Sequence, residues 1–152
     1  MSTLRALFFT ALLIASSTAS ANGVFVPQGR TLEKLDLKQS LKAPASEEWT
    51  GPVLIKNIGG NEHVSAHLVW IRTAEKLHTH AKHDATVMLL KGRGTFWFGG
   101  QEIRMKEGDV LTITRGVVHA FRNESKKPAA VYVVFSPPFD GKDVIEAGDV
   151  VQ

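Results

Sequence analysis

The chain of 152 residues has no cysteine. That excludes a disulfide scaffold, a zinc ribbon, a thiolate-held iron–sulfur cluster and a cysteine nucleophile. Any metal it holds is bound through nitrogen and oxygen. It also lacks a long run of like charge. Its 18 Lys and Arg against 15 Asp and Glu leave a net charge of +3, and the basic residues are scattered, so no nucleic-acid partner is implied. Beyond the first residues there is no apolar window long enough for a membrane helix. The apolar share, 43%, is that of a globular domain and too high for a disordered chain.

Residues 1–21, MSTLRALFFTALLIASSTASA, resemble a secretory leader. Arg5 provides a short positive start, and Ala6 to Ala15 an apolar stretch of about ten residues, too short to span a bilayer comfortably. Ala19-Ser20-Ala21 is a small-x-small cleavage site. The expectation is a periplasmic or secreted protein with no membrane attachment once the leader is cut. The remaining 131 residues can bury a core without staples.

Residues 22–52 read as an irregular arm. Leu32, Leu35, Leu37 and Leu41 suit a short amphipathic helix or a segment lying on the domain. From Val53 onward, short β-branched and aromatic runs alternate with glycine- and asparagine-containing turns. Strands are expected at Val53–Lys56, Val64–Arg72, Glu75–His80, Thr86–Lys91, Gly94–Phe98, Glu102–Met105, Val110–Thr114, His119–Asn123 and Ala129–Phe135. Such a series predicts an all-β antiparallel sandwich or barrel over 53–136. Ser136-Pro137-Pro138 breaks it, so 137–152 reads as a tail packed over the barrel or onto a partner.

The six histidines carry the candidate chemistry. His78 and His80 are two apart on an expected strand, so their imidazoles project to one side. A pair of that kind suits a divalent metal. His63 follows a Gly-Gly-Asn turn and reads as a solvated loop residue. His67 reads as a surface or satisfied core histidine. Phe96 and Phe98 share a face that packs or lines a pocket, with Trp97 on the other.

Two motifs sharpen this reading. Gly108, Gly116, His119 and Asn123 stand at the spacing of the second signature motif of the cupin superfamily, with Thr114 in place of its proline. His78, His80 and Gly92 match the first motif, although Ala85 occupies the place of its glutamate ligand. The chain therefore resembles a small single-domain cupin over about Ile71–Phe135. The resemblance implies a double-stranded β-helix, or jelly-roll-like, barrel. It also implies a metal held by His78, His80 and His119; with the glutamate missing, these form a three-histidine face by themselves, or Asp84 or His83 reaches in from the loop between strands as a fourth ligand or an acid/base. Zinc, iron, manganese, nickel and copper all suit such donors.

The implied functions follow from the family. One is a metal-dependent oxygenase or lyase acting on a small organic molecule, the three-histidine oxygenases being nearest in ligand set. A second is a non-catalytic small-molecule or metal-binding module, and a third an envelope scaffold. Cupins commonly pair, so a homodimer is also expected.

Overall fold

The computed structural model describes residues 23–28, 31–44 and 49–148, and the leader-like residues 1–21 lie outside them. An N-terminal hairpin joins β1 (Gly23–Gln28) to β2 (Thr31–Asp36), followed by a single helical turn, α1 (Leu37–Ser40), which the Asp36 carboxylate caps by accepting from Gln39 N–H. The hairpin replaces the irregular arm expected from the leucine spacing. It is anchored where Val26, nearly fully buried, occupies the space above Gly59.

The barrel consists of two five-stranded sheets. One contains β3 (Val53–Gly60), β4 (Ser65–Ile71), β11 (Ala129–Ser136), β6 (Asp84–Lys91) and β9 (Val110–Ile113), in the spatial order 3-4-11-6-9. The other contains β12 (Val144–Gly148), β5 (Leu77–His80), β10 (His119–Asn123), β7 (Arg93–Phe98) and β8 (Gln101–Lys106), in the order 12-5-10-7-8. All recorded pairings are antiparallel. The antiparallel barrel expected from the strand series, in the jelly-roll-like form that the resemblance implied, is thus the observed architecture. The tail differs from expectation: after the proline break it returns as β12 and pairs with β5 along the edge.

Alternation explains how each strand serves two environments. In β4, Val69 and Ile71 face the core between the sheets with Leu89, Phe96, Phe121 and Val131. Leu68 and Trp70 face outward into a second cluster, with Trp49 and Ala130. The N-terminal segment covers that outer cluster, and the Arg72 guanidinium lies 4.1 Å from the Trp49 ring while donating to the Trp49 carbonyl.

Two glycines are required for placing the site. A Cβ on Gly94 would fall 2.1 Å from the Arg122 carbonyl oxygen and 2.4 Å from the Phe121 ring, so only glycine lets β7 and β10 come together there. Gly116, at φ +80°, turns the chain from β9 towards β10, and its N–H donates to the His80 carbonyl at 2.8 Å. Asn123, the last motif residue, shares its amide among the carbonyls of Ile71, Arg72 and Lys127 and accepts from Ser125 N–H. It ties the end of β10 to the start of the β11 connection.

Candidate metal centre and its cavity

β5 and β10 are neighbours, and their register sets His119 directly opposite His78. His80 lies two residues along β5 on the same side. The three rings converge, with centroids 4.3 to 5.4 Å apart. Their ligand-capable nitrogens all lie within 4.8 Å of one another. The face of β5 left open by the sequence is the interior one: all three histidines line a cavity of about 270 Å³ between the sheets.

Each ring is oriented by a partner on Nδ1. His78 Nδ1 faces the Lys76 carbonyl at 2.8 Å, His119 Nδ1 the Val117 carbonyl at 2.9 Å, and His80 Nδ1 the Asp143 carboxylate at 3.2 Å. Carbonyl and carboxylate oxygens only accept, so each Nδ1 carries the proton and each Nε2 keeps its lone pair. Burial lowers the pKa of His80, and lowers that of His119 to about 4, with further lowering from the neighbouring histidines. Both rings are therefore neutral near pH 7, the state a metal ligand needs. Three imidazoles, each held by an acceptor on Nδ1 with Nε2 left free, fit a divalent ion.

Asp143, which the sequence reading did not single out, organises the far side of His80. Its carboxylate also receives Lys82 N–H and His83 Nδ1. Burial opposes its ionisation, but hydrogen bonds from His83, Lys82 N–H and His80 outweigh that and hold its pKa at about 2. The other nitrogen of His83, Nε2, faces the Pro138 carbonyl at 3.0 Å. Both ring nitrogens of His83 thus face acceptor oxygens, which hold the buried ring beside Asp143. His83 therefore does not join the triad as a fourth ligand. It supports the group that orients His80.

Asp84 is not brought to the triad either. It opens β6, in the opposite sheet, and both its oxygens are taken by Arg115, through Nη2 at 2.6 Å, Nε at 3.2 Å and the backbone N–H at 2.8 Å. Those hydrogen bonds hold its carboxyl at about 2. Ala85, in the place of the family glutamate, is buried in the wall of the cavity. His67 is buried, but among the described residues it does not line the cavity. Its Nε2 meets Ser65 Oγ at 2.8 Å and its ring packs edge-on against Phe135 and Phe139. Exposed His63 lies beside the Glu62 carboxylate, with 3.4 Å between Nε2 and Oε1, as a solvated loop residue does. Phe96 and Phe98 pack against the core and stack on each other, while Trp97 turns outward beneath Arg122.

A carboxylate that does line the cavity is that of Glu75, also absent from the sequence reading as a site residue. The segment before β5 is pinned to β10 twice: Glu75 N–H donates to the Phe121 carbonyl at 3.0 Å, and Phe121 N–H donates to Glu75 Oε2 at 2.9 Å. Burial pushes the Glu75 carboxyl up, against the opposing pull of His78 and of the Phe121 N–H.

With this geometry in hand, comparison with known proteins assigns the class. Residues 69–135 match the Cupin domain family, so this part of the chain is a cupin domain. It is 43% identical over 82 residues to an uncharacterised protein of Aquifex aeolicus (strain VF5), a match covering 54% of this chain and 67% of that one. It is 35% identical over 63 residues to quercetin 2,3-dioxygenase of Bacillus subtilis (strain 168), covering 41% of this chain and 19% of that enzyme. Among solved structures it resembles an RmlC-like cupin of Shewanella frigidimarina NCIMB 400. That likeness has a TM-score of 0.54 at 18% identity, covers 60% of this chain and 82% of the other, and concerns the fold alone.

Proposed function

We propose that this cupin holds a divalent metal through His78, His80 and His119 and uses it to bind and transform a small organic molecule in the barrel. One observation carries the reading: all three imidazoles have Nδ1 committed to a fixed acceptor, so three Nε2 lone pairs are left at one end of a cavity. When bound, such an ion polarises a ligand oxygen and offers open coordination positions. The protein's own residues do the rest. Lys76, Asp143 and Val117 fix the ring orientations, the apolar wall excludes water, and Glu75 presents a carboxyl to the same space. The missing glutamate ligand at Ala85 and the similarity to a quercetin dioxygenase support oxygenase chemistry ahead of lyase chemistry. The nitrogen donors suit zinc, iron, manganese, nickel and copper.

The test is the metal content of the purified protein, measured by elemental analysis. About one ion per chain is expected in the wild type. Loss of the ion is expected in His119→Ala, with the strand signal of circular dichroism retained. Full metal content in that variant would overturn the assignment. A second reading, a binding module without turnover, is favoured by Ala85, which leaves the site without the family's carboxylate ligand. Absence of oxygen uptake by iron-loaded protein across catechols, diketones and thiols would select it.

A further inference from the structure

The wall of the cavity is more selective than the metal reading requires. Of its lining residues, only His78, His80, His119, Glu75, Lys76 and Glu146 are polar, and the last two are spent on each other in an exposed ion pair of 2.9 Å at the opening. The rest of the lining is apolar, from Val69 and Leu89 to Phe96, Met105 and Val131. Among the described residues, no serine, threonine, asparagine, glutamine, tyrosine or arginine lines it. A sugar, nucleoside or phosphate ester carries polar groups along most of its length, and these would be buried here without partners. A cavity of about 150 Å³ admits benzene. The 270 Å³ found here is room for one substituted ring or a branched chain of similar size.

Glu75 completes the pattern. Its Oε2 is occupied by Phe121 N–H, and the backbone bond to the Phe121 carbonyl fixes the residue in place. Oε1 has no hydrogen-bond partner among the described residues. Among the described residues, Glu75 Oε1 is thus the one unclaimed side-chain acceptor of the cavity lining outside the triad.

We propose that the cavity takes a compact, mostly hydrocarbon molecule with a hydroxyl or enol beside a second oxygen at one end, and that Glu75 selects it by accepting a hydrogen bond from that O–H. The place given to the second oxygen rests on the metal-site reading above, whereas the apolar wall and the role of Glu75 do not.

The experiment is calorimetric binding of 4-methylcatechol, its dimethyl ether, glucose and uridine to the zinc-loaded full chain, zinc being redox-inert. The catechol is expected to bind at least tenfold tighter than glucose, uridine or the ether. In Glu75→Gln the amide oxygen can still accept from Phe121 N–H, while an N–H₂ group replaces the free acceptor. The catechol is then expected to lose about tenfold while the ether stays within twofold, a loss of discrimination that a purely structural role would not produce. Glucose or uridine binding as tightly as the catechol would overturn the proposed class. An unchanged catechol-to-ether ratio in the variant would overturn the role of Glu75. If the chain takes up no zinc, the metal reading fails by itself. In that case 4-methylphenol against 4-methylanisole on the metal-free protein tests Glu75 and the wall independently, with tenfold preference for the phenol supporting them and equal binding overturning them.

Discussion

Replacing Asp143 by asparagine tests how the tail and the histidine triad are connected. The carboxylate is 8% exposed and serves three donors: His80 Nδ1 on Oδ1, and His83 Nδ1 with Lys82 N–H on Oδ2. An asparagine has one acceptor oxygen. The orientation that saves more bonds keeps that oxygen towards His83 and Lys82 and turns the N–H₂ group towards His80. His80 Nδ1 must then accept instead of donate, so the proton moves to Nε2, the atom that would bind metal. Two measurable costs follow. Loss of an outer partner of this kind lowers metal affinity roughly 10- to 100-fold. Exchanging a buried carboxylate that serves three donors for an amide with one acceptor oxygen also weakens or removes buried hydrogen bonds. The expected loss of stability is therefore on the order of 2–4 kcal/mol. Chelator competition for zinc reads the first quantity, and urea denaturation followed by tryptophan fluorescence reads the second. Asp140→Asn is the control, because Asp140 is exposed and accepts only from Lys142 N–H at 3.0 Å. It should change stability by less than about 0.5 kcal/mol. If Asp143→Asn matched that control in both assays, the proposed support of His80 would be refuted.

Two further outcomes are expected. Asn123→Ala removes an amide that reaches three carbonyls and accepts one backbone N–H. It should cost about 2 kcal/mol or more and lower the Tm by several degrees, and a Tm equal to wild type would show that the motif asparagine does not hold β10 in place. The Arg115–Asp84 pair sets an acid limb. The Asp84 carboxyl is lowered from 3.8 to about 2, so its contribution is complete above pH 3.8 and is lost as the pH falls through about 2. Arg115→Gln should flatten the fall of the denaturation midpoint across that window, and an unchanged profile would mean the pair contributes nothing there.

The strands were readable because a half-buried strand writes its two environments into alternate residues. β4 shows this with Leu68 and Trp70 on one face and Val69 and Ile71 on the other, and the expected span differs from the observed one by a single residue at each end. The hairpin β1–β2 was not readable. β2 is exposed along nearly its whole length and β1 leaves Phe25 open to solvent, so no alternation of buried and exposed apolar residues marks them. β12 was hidden for the same reason, its residues being exposed along the edge of the sheet.

The triad was legible and its surroundings were not, and the difference lies in how far parity carries. Within β5 a spacing of two keeps His78 and His80 on one side, and the motif spacing adds His119 from the strand alongside. Extending the same parity from His80 to Asp84 fails, because the chain turns between β5 and β6 and the two strands belong to different sheets. Asp84 thereby leaves the cavity for Arg115. Parity also fails backwards. Counted along a continuous strand, Glu75 would face away from His78, but β5 begins only at Leu77, and the bonds to Phe121 bring Glu75 to the cavity wall instead. Asp143 had no local signal at all. It is 63 residues from His80 in sequence, beyond a proline break that reads as the end of the sheet, and becomes a neighbour only because the tail returns to pair with β5. The carboxylates around the triad are therefore set by chain reversals, where strand periodicity is interrupted, while the imidazoles are set by the periodicity itself.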